Sequence, residues 1–111
     1  MSAGTYNFTI EQGATFSRVL TLQENGSAMS LSGYSAASQF RSTHDTNTVA
    51  GTISSTISNA SGGVITLSMT ATATGNVEEG IYVYDVEITS SAGAVTRIMQ
   101  GKVTVTPQVT R

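Results

Sequence analysis

The stretch GIYVYDVEITSSAGAVTRIMQGKVTVTP, residues 80–107, holds two alternating runs on either side of a small turn. Tyr82, Tyr84, Val86 and Ile88 recur at every second position with Asp85 and Glu87 between them, and only a strand places such a series on one face. Ile81 and Val83 put apolar residues on the other parity as well, which predicts a central strand covered in part on both sides. SSAG, residues 90–93, supplies the turn. Beyond it Ile98 lies on one parity, while Val103 and Val105 lie on the other. An extra residue must therefore fall in the second strand, and Gly101 is the expected bulge. Pro107 has no N–H to give and ends the ladder.

The same periodicity extends outward from this hairpin. Tyr6, Phe8 and Ile10 alternate with Asn7 and Thr9 until Gly13. Phe16, Leu20 and Leu22 share a parity in the next run, and Arg18 falls on that same side, as expected at an edge where the stem packs and the guanidinium stays in water. Asn25-Gly26 is the pair favoured by a type I′ hairpin turn, which returns Met29 and Leu31 to the core. Tyr34, Ala36, Ser38 and Phe40 form a strand ending at Arg41. STHDTN, residues 42–47, carries nothing apolar and reads as an exposed loop. Val49, Ile53 and Ile57 are widely spaced, yet GTISSTIS has the composition of a strand. NASGG is a turn, and Ile65, Leu67 and Met69 alternate after it. TATATGNVEEG, residues 70–80, loses the alternation and predicts a single helical turn capped by Thr70, or an irregular crossover. About seven short strands separated by regular turn signals predict an all-β fold, an immunoglobulin-like antiparallel β-sandwich, with a small β-barrel as the alternative. A single domain over residues 1–111 is expected.

Composition narrows the function classes. Charged residues make up 11% of the chain, against about 25% in an ordinary globular domain. Ser and Thr supply about 30% of it, in keeping with the solvent faces of pleated sheets. A surface with few charges to desolvate suits coverage by neighbours in an assembly. There is no Cys, which excludes disulfides, thiolate metal sites and Cys nucleophiles. The net charge is −2, and Arg18, Arg41, Arg97, Lys102 and Arg111 are scattered, so nucleic acid is not an expected partner. No apolar run is long enough to span a bilayer, and residues 1–5 lack the features of a signal peptide, so a soluble chain with no membrane partner is expected.

Few residues suggest chemistry. His44-Asp45 lies in the polar loop without a nucleophile elbow to serve, and reads as solvated. Glu78, Glu79, Asp85 and Glu87 place four carboxylates near one strand, but no oxygen-rich loop of the calcium type accompanies them. Asp85 and Glu87 are instead expected to face Arg97 across the hairpin. Tyr34, Tyr82 and Tyr84 suggest a sugar-stacking platform, although their parity favours core packing with the hydroxyls at the rim. No catalytic, cofactor-binding or metal-binding residue is assigned, no cofactor is expected, and the chain reads as a non-enzyme. The segment Pro107, Gln108, Val109, Thr110 and Arg111 is the candidate partner-binding element, because it is too short and polar to add to the core yet ends in an apolar Val and an Arg.

Four stretches carry a family resemblance: YNFTIEQGATFSRVLTL, LSGYSAASQFR, GGVITLSMTATAT, and GIYVYDVEITSSAGAVTRIMQGKVTVTPQVTR. Together they resemble small β-sandwich domains of tailed-bacteriophage and prophage virion proteins, and are similar to the N-terminal domains of upper baseplate proteins. The likeness rests on Gly33-Tyr34, on residues 65–68, on residues 80–88 and on residues 101–111. Val77-Glu78-Glu79 stands where the family often has Leu-Pro. The resemblance implies a structural virion protein in the tail or baseplate, assembled in the host bacterial cytoplasm and contacting other virion subunits in multiple copies. In larger relatives the sandwich is an attachment module followed by a receptor-binding part, so an end at Arg111 implies docking or scaffolding. A capsid decoration protein and a carbohydrate-binding module with an exposed Tyr82 or Tyr84 are the alternatives.

Overall fold

A computed structural model describes residues 4–24 and 26–109. The strands are β1 (Gly4–Thr5), β2 (Phe8–Glu11), β3 (Phe16–Thr21), β4 (Gln23–Glu24), β5 (Ser27–Ala28), β6 (Ser35–Arg41), β7 (Gly51–Asn59), β8 (Val64–Met69), β9 (Gly80–Thr89) and β10 (Val95–Thr106), with one short helix, α1 (Ala71–Gly75), before β9. The fold is all-β. Strand neighbours run in the order β1, β10, β9, β6, β7, β8, β3, and β2 also lies on β10. Because β1 and β2 pair with β10 in unbroken register, from Gly4 opposite Met99 to Glu11 opposite Thr106, they form one interrupted strand. Seven strands thus build the sandwich, with the β4–β5 hairpin beside it. The pairings are antiparallel except at this edge, where β1 and β2 run parallel to β10.

One strand serves both layers. Residues 51–53 of β7 pair with β6, and from Ser54 onward β7 pairs with β8 instead, so it turns the corner between the sheets. The core lies between the layers. Phe8, Ile10, Phe16, Phe40, Ile53, Ile65, Leu67, Met69, Tyr84, Val86, Ile88, Val103 and Val105 are all buried, which is the alternation of the sequence converted into one shared face. Aromatic packing joins the N-terminal strands to the central one: Phe8 lies 5.1 Å from Phe16 and 4.5 Å from Tyr84, centroid to centroid.

Local signals act as their chemistry requires. Gln23 and Glu24 pair with Ala28 and Ser27, which leaves a two-residue hairpin loop. Gly26 in that loop has φ +80°, the conformation a primed turn needs, while Asn25 lies outside the described residues. Leu31 is buried and Met29 packs against the core. The Thr70 side chain accepts a hydrogen bond from the Ala73 N–H at 3.1 Å and caps α1. Thr74 is fully buried. Its hydroxyl accepts from the Gly13 N–H at 3.0 Å and donates to the Ala14 carbonyl at 2.8 Å, which ties the helix to the β2–β3 turn.

The bulge is not at Gly101. The β9–β10 register slips between Arg97 and Met99, so the extra residue is Ile98, whose side chain is buried. Gly101 answers a different demand. It lies opposite the break between β1 and β2, where a Cβ would collide with the Tyr6 carbonyl oxygen and come within 2.8 Å of Asn7 Oδ1.

Facing on the central strand gives a direct test. Val86 is fully buried, and Val86→Ala is expected to cost about 2 kcal/mol through lost burial and a residual cavity. Thr89 lies on the other face, and Thr89→Ala is expected to cost well under about 1 kcal/mol. Urea denaturation of both variants measures the difference, and equal small effects would place the wrong face inside.

Candidate functional site

Two polar regions stand out on the surface, at different places on the sandwich. The first is the pole where β10 ends. Gln12, in the β2–β3 turn, donates through Nε2 to the Val77 carbonyl at 2.7 Å and accepts at Oε1 from the Gln108 N–H at 3.0 Å. The Gln108 side chain lies where a Cβ on Gly13 would be, so glycine there leaves room for it. Pro107 and Gln108 therefore remain on the sandwich, and the chain departs at Val109, which is 91% exposed. Thr110 and Arg111 lie outside the described residues. Glu78 and Glu79 are exposed beside this exit and share a shallow recess with Gln12, Pro107 and Gln108.

The second region is the outward face of β6, β9 and β10, walled by the 42–47 loop. Asp85 sits in the middle of a row, with Gln39 opposite it on β6 and Gln100 opposite it on β10. Glu87 and Arg97 face each other in the next row. The Arg97 Nε is 3.4 Å from Asp85 Oδ2, and its NH1 donates to Gln100 Oε1 at 3.4 Å. The cross-strand pairing expected from the sequence is thus present, with the closer contact to Asp85. On the other flank Arg41 NH1 donates to the Thr46 carbonyl at 2.9 Å and NH2 donates to Gln39 Oε1 at 3.2 Å. This pins the exposed loop against the sheet. His44 is exposed at its rim.

The four carboxylates are not gathered. Glu78 and Glu79 line the polar exit of the tail, whereas Asp85 and Glu87 line the sheet face. Among the described residues no three His, Cys, Asp or Glu side chains come together as a metal site would need. Gln39, Arg41 and Gln100 are the members of the sheet-face cluster that periodicity did not single out. Their outward parity was readable, but which strands lie beside β9 was not.

Of the three candidate tyrosines, Tyr84 lies in the interior, while Tyr34 and Tyr82 are partly buried against the core. Tyr84 is buried and donates its hydroxyl to the Tyr6 carbonyl. Tyr82 donates to the Glu78 carbonyl at 2.7 Å and meets the Phe40 ring edge-on at 5.3 Å. Burial, with the neighbouring Tyr6 second, pushes the Tyr84 hydroxyl up to about 12. Burial, and then the Glu78 carboxylate, raises Tyr82 as well. A phenol whose folded pKa exceeds the unfolded value holds its full stabilisation below pH about 10 and loses it as pH climbs toward 12, because the unfolded chain releases the proton first. Stability is therefore expected to fall by about 2 kcal/mol between pH 10 and 12, and Tyr84→Phe should flatten that slope. An unchanged alkaline slope in the Phe variant would assign the loss to other groups.

No family model and no curated protein matches the sequence. Among solved structures, the GspB Siglec domain superposes with a TM-score of 0.52 at 18% identity, covering 95% of this chain and 55% of that one. An internalin-like protein of Listeria monocytogenes gives a TM-score of 0.49 at 17% identity, covering 94% of this chain and 28% of that one. A family 123 glycoside hydrolase from Clostridium perfringens gives 0.43 at 13% identity, over 100% of this chain and 24% of that one. The chain spans from about a quarter to about half the length of these structures. At 18% identity the likeness to the Siglec domain speaks to the fold alone, and what it supports is an all-β sandwich.

Proposed function

We propose that this chain is a non-catalytic structural module of a tailed-bacteriophage virion, placed in the tail or baseplate and working by stoichiometric contact with neighbouring subunits. The observation that carries the reading is the anchored exit of the C-terminal segment: Gln12 holds Gln108 to the sandwich, and the next residue, Val109, is 91% exposed. An exposed apolar residue just beyond an anchored segment is suited to packing into a neighbour's edge or pocket. Two of the motifs that carry the family resemblance, residues 80–88 and 101–111, reach into β9 and β10, where Tyr84, Val86, Ile88, Val103 and Val105 build the core. They specify the scaffold and leave Val109 exposed beyond it. Low charge across the surface supports the same reading, since few ions need desolvation when a neighbour covers it.

Peptide mapping of purified particles and cryo-electron microscopy test the assignment, and absence of the chain from particles overturns it. The tail is tested separately by shortening the chain to end at Gln108, which keeps the Gln12 bond. The expected result is an unchanged melting temperature with reduced incorporation into particles. Incorporation equal to that of the full chain would remove the docking role from residues 109–111.

A further inference from the structure

We propose that the cleft over the row Gln39, Asp85 and Gln100 is a binding site for a neutral glycan. This goes beyond the assembly role and does not depend on it. The cleft has a volume of about 370 Å³, inside the range of about 300–1,000 Å³ typical of small-ligand sites. Its floor is three planar polar side chains on adjacent strands, spaced by about 4.8 Å from one strand to the next. Its wall is the 42–47 loop, already fixed by the Arg41 bond to the Thr46 carbonyl at 2.9 Å. The site is therefore organised before any ligand arrives, which removes an ordering cost from binding.

The chemistry of the lining selects the ligand class. Arg41 and Arg97 carry two positive charges, and Asp85 and Glu87 carry two negative ones, so the cleft has no net formal charge to favour an ion of either sign. Each guanidinium already donates to an amide oxygen, Arg41 to Gln39 and Arg97 to Gln100. Among the described residues the Nε2 groups of both amides have no partner, and Glu87 has no ion pair within 4.0 Å. Unused donors thus lie beside an unused acceptor. A sugar hydroxyl both donates and accepts, and vicinal hydroxyls can engage a carboxylate and an amide side by side. A protein partner is disfavoured because contact cores between proteins are apolar and aromatic, whereas this lining offers only Val83 and the edge of the buried Tyr84 as apolar surface. Ile81, well exposed two residues before Val83 on the same outward parity of β9, borders the cleft but is not among its lining residues. Recognition here would rest on planar polar side chains and not on tyrosine stacking, since Tyr84 is buried and Tyr82 packs against the core on the opposite parity of β9 from Asp85.

The test is a glycan array printed with neutral, carboxylated and sulfated oligosaccharides, probed with the full chain and with Gln39→Ala/Gln100→Ala. Both replaced side chains are on the outward face, so the melting temperature of the double variant should match that of the parent. The expected result is binding to a subset of neutral glycans, weakened at least tenfold in the double variant, with Asp85→Asn weakening it independently. Binding to no neutral glycan, binding to anionic glycans alone, or binding undiminished by the double variant overturns the proposal. So does a double variant that alters the sedimentation coefficient of the chain without altering glycan binding, which would make the face a protein contact. None of these outcomes bears on incorporation into particles.

Discussion

Phe40→Ala is expected to destabilise the sandwich by about 3–5 kcal/mol, in the range found when a fully enclosed aromatic is truncated. Phe40 is 0% exposed and lies where three strands meet, opposite Gly51 on β7 and Tyr84 on β9. Its ring occupies the space that a Cβ on Gly51 would take, and Tyr82 meets it edge-on at 5.3 Å. Gly51 has no side chain to move into the gap, and Tyr82 is held by its bond to the Glu78 carbonyl. The cavity term should therefore persist. Phe40→Leu retains most of the volume and should cost less than half as much. Urea denaturation of the pair measures this, and an Ala variant losing under about 1.5 kcal/mol would show that the corner between the sheets repacks freely.

Gly101→Val is expected to cost on the order of 3 kcal/mol and to act at a particular place, the N-terminal strand. Gly101 has φ +157°, and any side chain there would drive into the Tyr6 carbonyl. That carbonyl is the acceptor for the Tyr84 hydroxyl. On either side of it, the Tyr6 N–H donates to the Gln100 carbonyl at 2.9 Å and the Lys102 N–H donates to Asn7 Oδ1 at 2.8 Å. A side chain at 101 therefore separates β1 and β2 from β10 and leaves the buried Tyr84 hydroxyl without its partner. Amide hydrogen exchange should show lost protection at Tyr6 and residues 8–11 beyond the general loss of stability. A variant whose N-terminal amides stay as protected as those of β9 would refute the close-approach account.

Period-two patterning made most of the architecture legible. The faces of Phe8 and Ile10, of Ile65, Leu67 and Met69, and of Tyr84, Val86 and Ile88 follow from alternation alone, because each strand is buried on one side only. Asn25-Gly26 and Thr70 were readable through local backbone chemistry. What alternation does not encode is which distant strands meet. Gly101 looked like a bulge because glycine is common in bulges, yet its reason lies in a segment near the other end of the chain, and the extra residue is the buried Ile98. The parallel placement of β1 and β2 was hidden for the same reason. The polar cleft was legible only in halves: Asp85, Glu87 and Arg97 share a hairpin, while Gln39 and Arg41 join them through a pairing between β6 and β9 that no local signal announces. Val19 on the outer strand β3 is 64% exposed, and Arg18 next to it, 5.4 Å over the Phe16 ring, places a charge on the core parity of that free edge. Such a charge discourages uncontrolled strand addition, a role that composition alone could not assign.

The parallel edge has a mechanical consequence. β2 and β10 run in the same direction, with Gly4 beside Met99 and Glu11 beside Thr106. A tension applied outward through the two ends of the domain pulls β2 toward Gly4 and β10 toward Thr106, in opposite senses along neighbouring strands. The backbone hydrogen bonds between them are then loaded together in shear, and none can open ahead of the others as the teeth of a zipper do. Tyr84, bonded to the Tyr6 carbonyl, and Asn7, bonded to the Lys102 N–H, add two cross-links perpendicular to the pull. This edge is thus arranged to resist extension between Gly4 and Thr106 in shear before it yields.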